Sequence, residues 1–244
     1  MELIDFFRQL QYEIKSSISD SLETDSDYPY SEFIFTDHMI QHMIAAGMTF
    51  DQADRCHYDG KAGNAYLKIS GYALSEETDQ IDLFITLYSG SENLETITDT
   101  ETKTAAEQCF RFFARSIEGK LSKELEPSSD AAVLADLLQA AYTSLDQIRI
   151  YVLTDRIART KNFAPRPLRD KIVKLEVMDI ERLYRHTVAG KPRDELVVNF
   201  PEVCGSVLPC VYVPRGDTDY DYALTVFPGE ALRFLYEKYG SRDR

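Results

Sequence analysis

The stretch LKISGYALSEETDQIDLFITLYSG, from Leu67 to Gly90, limits the architecture more than any other part of the sequence. It reads as two strands joined by an acidic turn. The second strand, QIDLFITLYSG, is apolar with almost no polar interruption. A half-exposed strand alternates apolar and polar residues, whereas a continuous apolar run needs cover on both faces. The flanking sequence offers that cover as helices.

ELIDFFRQLQYEIKSSI places Leu3, Phe6, Phe7, Leu10 and Ile14 at helical spacing, and it runs into the polar, acidic SDSLETDSDYPY. YSEFIFTDHMIQHMIAAG predicts a second helix, with Ser31 as N-cap and Gly47 as its stop. RCHYDGKAGNAYLKISGYAL then reads as two strands around a glycine turn. After the opening hairpin comes a long helix from Thr102 to about Leu125, with Ala106, Cys109, Phe110, Phe113 and Ile117 facing the core. PSSD caps the next helix, AAVLADLLQAAYTSLDQ. IRIYVLTD and IVKLEVMDI read as short strands of the buried parallel type, and DIERLYRHTVAG as a helix with Asp179 near its start. This order implies α/β or α+β, a mixed β-sheet flanked by helices. Beyond it, DELVVNF, VLPCVYVPRG and DYALTVFPGEALRFLYEKYG alternate short strands with Pro and Gly turns and end in an amphipathic helix. The expected division is residues 1–30 (helix and acidic linker), 31–190 (α/β core) and 191–244 (strand-rich extension). The aromatic face of the last helix predicts that it leads into a further domain.

At 244 residues and 44% hydrophobic, the chain can bury a substantial core, which excludes a disordered or disulfide-stapled mini-protein. Cys56, Cys109, Cys204 and Cys210 are widely spread, and no basic flank precedes an apolar run at the N-terminus. No segment approaches the roughly 20 consecutive apolar residues of a membrane span. The expectation is a reduced, cytoplasmic protein without a membrane partner.

The net charge of −14 argues against a surface that coats nucleic acid throughout. Residues 1–60 hold twelve acids and three bases, and Gly71 to Glu101 hold eight acids and no base. Between residues 156 and 174 the balance inverts: Arg156, Arg159, Lys161, Arg166, Arg169, Lys171 and Lys174 stand against Asp170 alone. This segment is the candidate nucleic-acid contact, set against a solvated loop whose charges offset an acidic body.

ISGYALSEETDQIDLFITLYSG, IRIYVLTD, VMDIERLYR, LPC and FPGEALRFLYEKYGSR together resemble the N-terminal region of the abortive infection phage resistance protein family, over about residue 30 to Arg242. The resemblance implies bacterial antiviral defence and a restriction-endonuclease-like core with additional C-terminal strands and a helix. It also implies a large downstream domain, entered through a segment like LYEKYGSR.

A restriction-type site needs an Asp near one strand, then an acid, a spacer and a Lys on the next, so that carboxylates hold Mg²⁺ and the Lys serves the attacking water. Here Ser70, Gly71 and Tyr72 stand where the Asp is expected, and Ile85, Thr86, Leu87 and Tyr88 where the acid and Lys are. Asp82 and Asp79, with Asp37 from the second helix, form the candidate catalytic set of a displaced Mg²⁺ site. A solvated turn and a strand-end carboxylate bonded to backbone are the structural alternatives for Glu76, Glu77, Asp79 and Asp82. His38 and His42 have the i, i+4 spacing of zinc ligands, with Cys56 and His57 downstream, but a full ligand set is missing. No metal site and no cofactor is predicted outside the nuclease reading. No phosphate-binding glycine loop, nucleophile elbow or dinucleotide fingerprint is present. Three readings remain: a catalytically degenerate nuclease-like binding or assembly module, an active Mg²⁺-dependent nuclease, and a non-cleaving nucleic-acid-binding module. A homodimer is compatible with the 15 tyrosines.

Overall fold

The computed structural model describes residues 2–21, 30–188, 199–213 and 222–239. Its elements are α1 (Leu3–Ser21), α2 (Tyr30–Ala45), β1 (Ala53–Ala62), β2 (Ala65–Leu74), β3 (Gln80–Leu87), β4 (Thr96–Ile97), α3 (Asp99–Ile117), α4 (Leu121–Glu124), α5 (Asp130–Ala141), β5 (Gln147–Thr154), β6 (Ile157–Ala158), β7 (Asn162–Leu168), β8 (Lys171–Met178), α6 (Ile180–Thr187), α7 (Phe200–Cys204), β9 (Cys210–Val213), β10 (Tyr222–Thr225) and α8 (Gly229–Tyr239). The fold class is α+β. A six-stranded mixed sheet runs in the order β1-β2-β3-β5-β8-β7. The meander β1-β2-β3 and the edge strand β7 are antiparallel to their neighbours, and β3, β5 and β8 are parallel.

The apolar run of β3 is explained by cover on both faces. Ile81, Leu83 and Ile85 pack with Ile148, Ile150 and Val152 of β5 against α3 and α5. Phe84 joins Tyr151 and Leu153 on the opposite face, beneath α1, α2 and α6. The apolar stripe of α1 is buried there as expected, with Phe6, Phe7, Leu10 and Ile14 in the second core. Gly71 allows β1 and β2 to approach closely, since a Cβ at that position would lie 3.0 Å from the Asp54 carbonyl oxygen.

Several sequence expectations are corrected. Helix α2 starts at Tyr30, so Ser31 lies in its first turn and is not its N-cap, whereas Gly47 does end it with φ +65°. Helix α3 starts earlier than Thr102, because Thr98 and Glu101 form a reciprocal capping box. It stops at Ile117, before Gly119 at φ +69° turns the chain into α4. Helix α5 ends at Ala141. The basic stretch is not a loop: it contains β6 and β7. Pro165 and Pro167 hid β7 from a propensity reading, yet proline is tolerated on an edge strand, here with a bulge between Phe163 and Arg166. DELVVNF falls mostly outside the described residues.

The chain divides into two compact units, residues 1–190 and 191–244. In the second, β9 and β10 form an antiparallel ribbon, and Phe200 of α7 meets Phe227 edge-on with centroids 5.2 Å apart. No helix among the described residues is long and apolar enough to cross a membrane.

Candidate functional site

Asp82 lies in β3 with its side chain fully buried. Parallel register sets it beside Arg149 of β5. Arg149 Nε and Nη2 donate to the two carboxylate oxygens at 2.6 and 2.7 Å, and Thr49 Oγ1 donates at 2.7 Å. The guanidinium also lies 5.7 Å from the Phe50 ring centroid and 5.4 Å from that of Tyr151. Bidentate pairing of this kind fixes both partners. Burial pushes the Asp82 carboxyl up, against the lowering pull of Arg149 and Thr49.

Neutral hydroxyls occupy positions 70 and 86, where the sequence reading looked for the charged residues of a nuclease hairpin. Ser70 Oγ of β2 accepts from the Thr86 amide at 3.0 Å. Thr86 Oγ1 lies 2.7 Å from Thr36 Oγ1 of α2, whose own proton goes to the Glu32 carbonyl at 2.6 Å. Thr86 is therefore the donor between the two threonines, since a hydroxyl has one proton to give. All three side chains are buried.

The structure does not bring the three candidate acids together. The Asp79 carboxylate takes the Ser75 hydroxyl at 2.6 Å, in a turn where Thr78 adopts φ +56°. Asp37 lies 3.3 Å from Arg55. Glu76 and Glu77 point into solvent at the same turn. Among the described residues, no three His, Cys, Asp or Glu side chains are grouped to hold a metal ion. Mg²⁺ binds through carboxylate oxygens, and both oxygens of Asp82 are already engaged by Arg149 and Thr49.

The basic segment is largely engaged within the chain. Arg156 pairs with Glu101 at 3.1 Å, and Arg166 pairs with Glu107 at 2.5 Å while lying 4.6 Å from the Phe110 ring centroid. Lys161 bridges Asp179 and Glu181 at 2.5 and 2.6 Å. Arg169, at φ +54°, and Lys171 both lie over the Tyr142 ring. Arg159 and Lys174 are exposed, with no ion pair to other described residues.

Two carboxylates hold the ends of the parallel strands: Asp155, which the sequence reading did not single out, and Asp179, which it placed only near a helix start. Asp155, just past β5, accepts from Gln11 Nε2 at 3.0 Å and from the Ser89 and Gly90 amides at 2.9 Å each. Asp179, just past β8, is the N-cap of α6: it accepts from the Arg182 amide, from the Ala158 amide at 2.8 Å and from Lys161. Sites in α/β sheets commonly open outside these strand ends. Here both carboxylates tie loops to the sheet. The signal was present as a terminal Asp in each of VLTD and VMD.

His42 is half-buried on α2, and His57 of β1 lies edge-on to Phe33 with centroids 4.9 Å apart. Burial holds both imidazoles below their ordinary range. As pH falls from about 7 to about 5 the unfolded chain therefore takes up these protons first, and the fold loses stability. Thermal melts across that window should show a steeper acid-side fall for the wild type than for His42→Asn/His57→Asn, by on the order of a few °C. Identical slopes would contradict this account.

No curated protein and no solved structure matches the chain. The family model described as the abortive infection phage resistance protein N-terminal domain matches residues 35–185, from within α2 through the six-stranded sheet into α6. That match covers more than half of the sequence, and with it the chain belongs to the abortive infection phage resistance protein family, as a module of phage defence.

Proposed function

We propose that the chain is a catalytically degenerate, restriction-endonuclease-like scaffold that serves its defence protein by binding or assembly. The carrying observation is Asp82: both of its oxygens are occupied by Arg149 and Thr49. The uncharged Ser70–Thr86–Thr36 network supports the same reading, because it offers no group to hold a metal or to activate water. Its first partner is a downstream domain of the same protein, consistent with the family's description as an N-terminal domain.

The test is cleavage of DNA and RNA by this chain in Mg²⁺ or Mn²⁺, beside Asp82→Asn. No metal-dependent cleavage is expected from either. Cleavage that disappears in the variant while the fold survives would establish the displaced nuclease site instead. Exposed Arg159 and Lys174 support a second reading, non-cleaving contact with phosphate. That contact would weaken steeply with salt, and a salt-independent affinity would remove it.

A further inference from the structure

We propose that α1 is a latch on the C-terminal end of the parallel strands, so that docking of α1 and closure of the 88–95 loop form one coupled conformational switch. The inference is independent of the scaffold reading above, since it holds for an active or an inactive sheet. The family match begins at residue 35, so α1 precedes the matched domain and is added to its sheet. Its apolar stripe decides which side of the helix is buried. Apolar contact is non-directional, however, and does not tie the helix to a particular loop.

Gln11 makes that tie. Among the described residues it is the only polar side chain of α1 that is buried, at 5% exposed. Its carboxamide is engaged on both sides: Oε1 accepts from the Tyr88 hydroxyl at 2.6 Å, just past β3, and Nε2 donates to Asp155 at 3.0 Å, just past β5. Asp155 in turn takes the consecutive amides of Ser89 and Gly90, and the chain turns there with Gly90 at φ +64°. The Tyr88 ring stacks on Phe35 of α2 with centroids 4.9 Å apart. The loop then enters β4, which pairs with β6, and reaches Thr98, the N-cap of α3. Undocking α1 would remove the acceptor of Tyr88 and one of three donors to Asp155. Opening the loop would leave the Gln11 carboxamide unmet in the core, so neither event is free of the other. Two amides still hold Asp155 when Gln11 is gone, which loosens the loop without unfolding the sheet. The latch lies at the end of the sheet where α/β proteins commonly bind, so a partner that displaces α1 would change the loop presented there.

Amide hydrogen exchange on the 244-residue chain reads both ends of the latch. Gln11→Leu keeps helix preference and removes both hydrogen bonds. It should speed exchange of the Ser89 and Gly90 amides by about tenfold or more, with the interiors of β3 and β5 unchanged. Tyr88→Phe removes the hydroxyl and keeps the ring that stacks on Phe35. Because coupling is reciprocal, it should speed exchange along α1 by about threefold or more. Loosening confined to the mutated end, no change in either variant, or a uniform rise through β3 and β5 would overturn the proposal.

Discussion

Asp82→Ala should destabilise the chain by about 3–5 kcal/mol, the range for breaking a buried pair and leaving one charge behind. The remaining Arg149 would keep its guanidinium against Phe50 and Tyr151 with 18% of its side chain exposed, and Thr49 would lose its acceptor. Arg149→Met should cost at least as much, because Asp82 has no exposure at all and its carboxylate would have to take up a proton. Removing both, as Asp82→Leu/Arg149→Met, should recover much of the loss, since apolar replacement of a buried pair is often near neutral. Urea denaturation of the four proteins measures these differences, and adding Asp82→Leu alone completes a double-mutant cycle. The result also bears on function. Carboxylates gathered to receive a metal repel one another in the free protein, so removing one would leave stability unchanged or raised. A destabilisation below about 0.5 kcal/mol for Asp82→Ala would therefore sink the structural role assigned to the pair.

That pair was half legible in the sequence. QIDLFITL and QIRIYVLT each carry one charge, at the third position of an apolar strand, and the charges are opposite. Two buried parallel strands in register bring such residues together. Considered only beside Asp79 and Asp37, Asp82 resembled a metal ligand, because the sequence places carboxylates along the chain but not their cations across the sheet. The helical stripes and the buried strands were legible because their periodicity is local, and Phe7, Ile14, Leu83 and Ile150 lie where it put them. The Thr36–Thr86 contact was not, since it depends on which face of α2 meets β3 across 50 residues. Strand β7 was hidden for a different reason. An edge strand needs few apolar residues, so its prolines and charges read as a loop.

Asp179→Ala should be the second costly substitution, at about 3 kcal/mol or more, because three separate functions end together. Loss of an N-cap typically costs about 1 kcal/mol, and α6 would start without one. The buried Ala158 amide of β6 would lose its acceptor, and an unmet buried donor adds about 1–3 kcal/mol. Lys161 would retain only Glu181. Asp179→Asn separates these contributions. Its amide oxygen can still accept from the Arg182 N–H, but its NH₂ group would then face both the Ala158 N–H and the Lys161 ammonium, donor against donor. Its stability should fall between wild type and Asp179→Ala in thermal and urea melts. The same variant also tests whether the basic segment serves nucleic acid. If its charges are held in reserve for phosphate, loosening Lys161 from one of its two carboxylates should tighten salt-sensitive DNA binding and steepen its salt slope. If they are there to fasten β6, β7 and α6 to an acidic body, Asp179→Asn should lose stability while DNA binding stays as it was. The second outcome is expected, because three of the seven cations already have a carboxylate within 3.1 Å and two more lie on Tyr142.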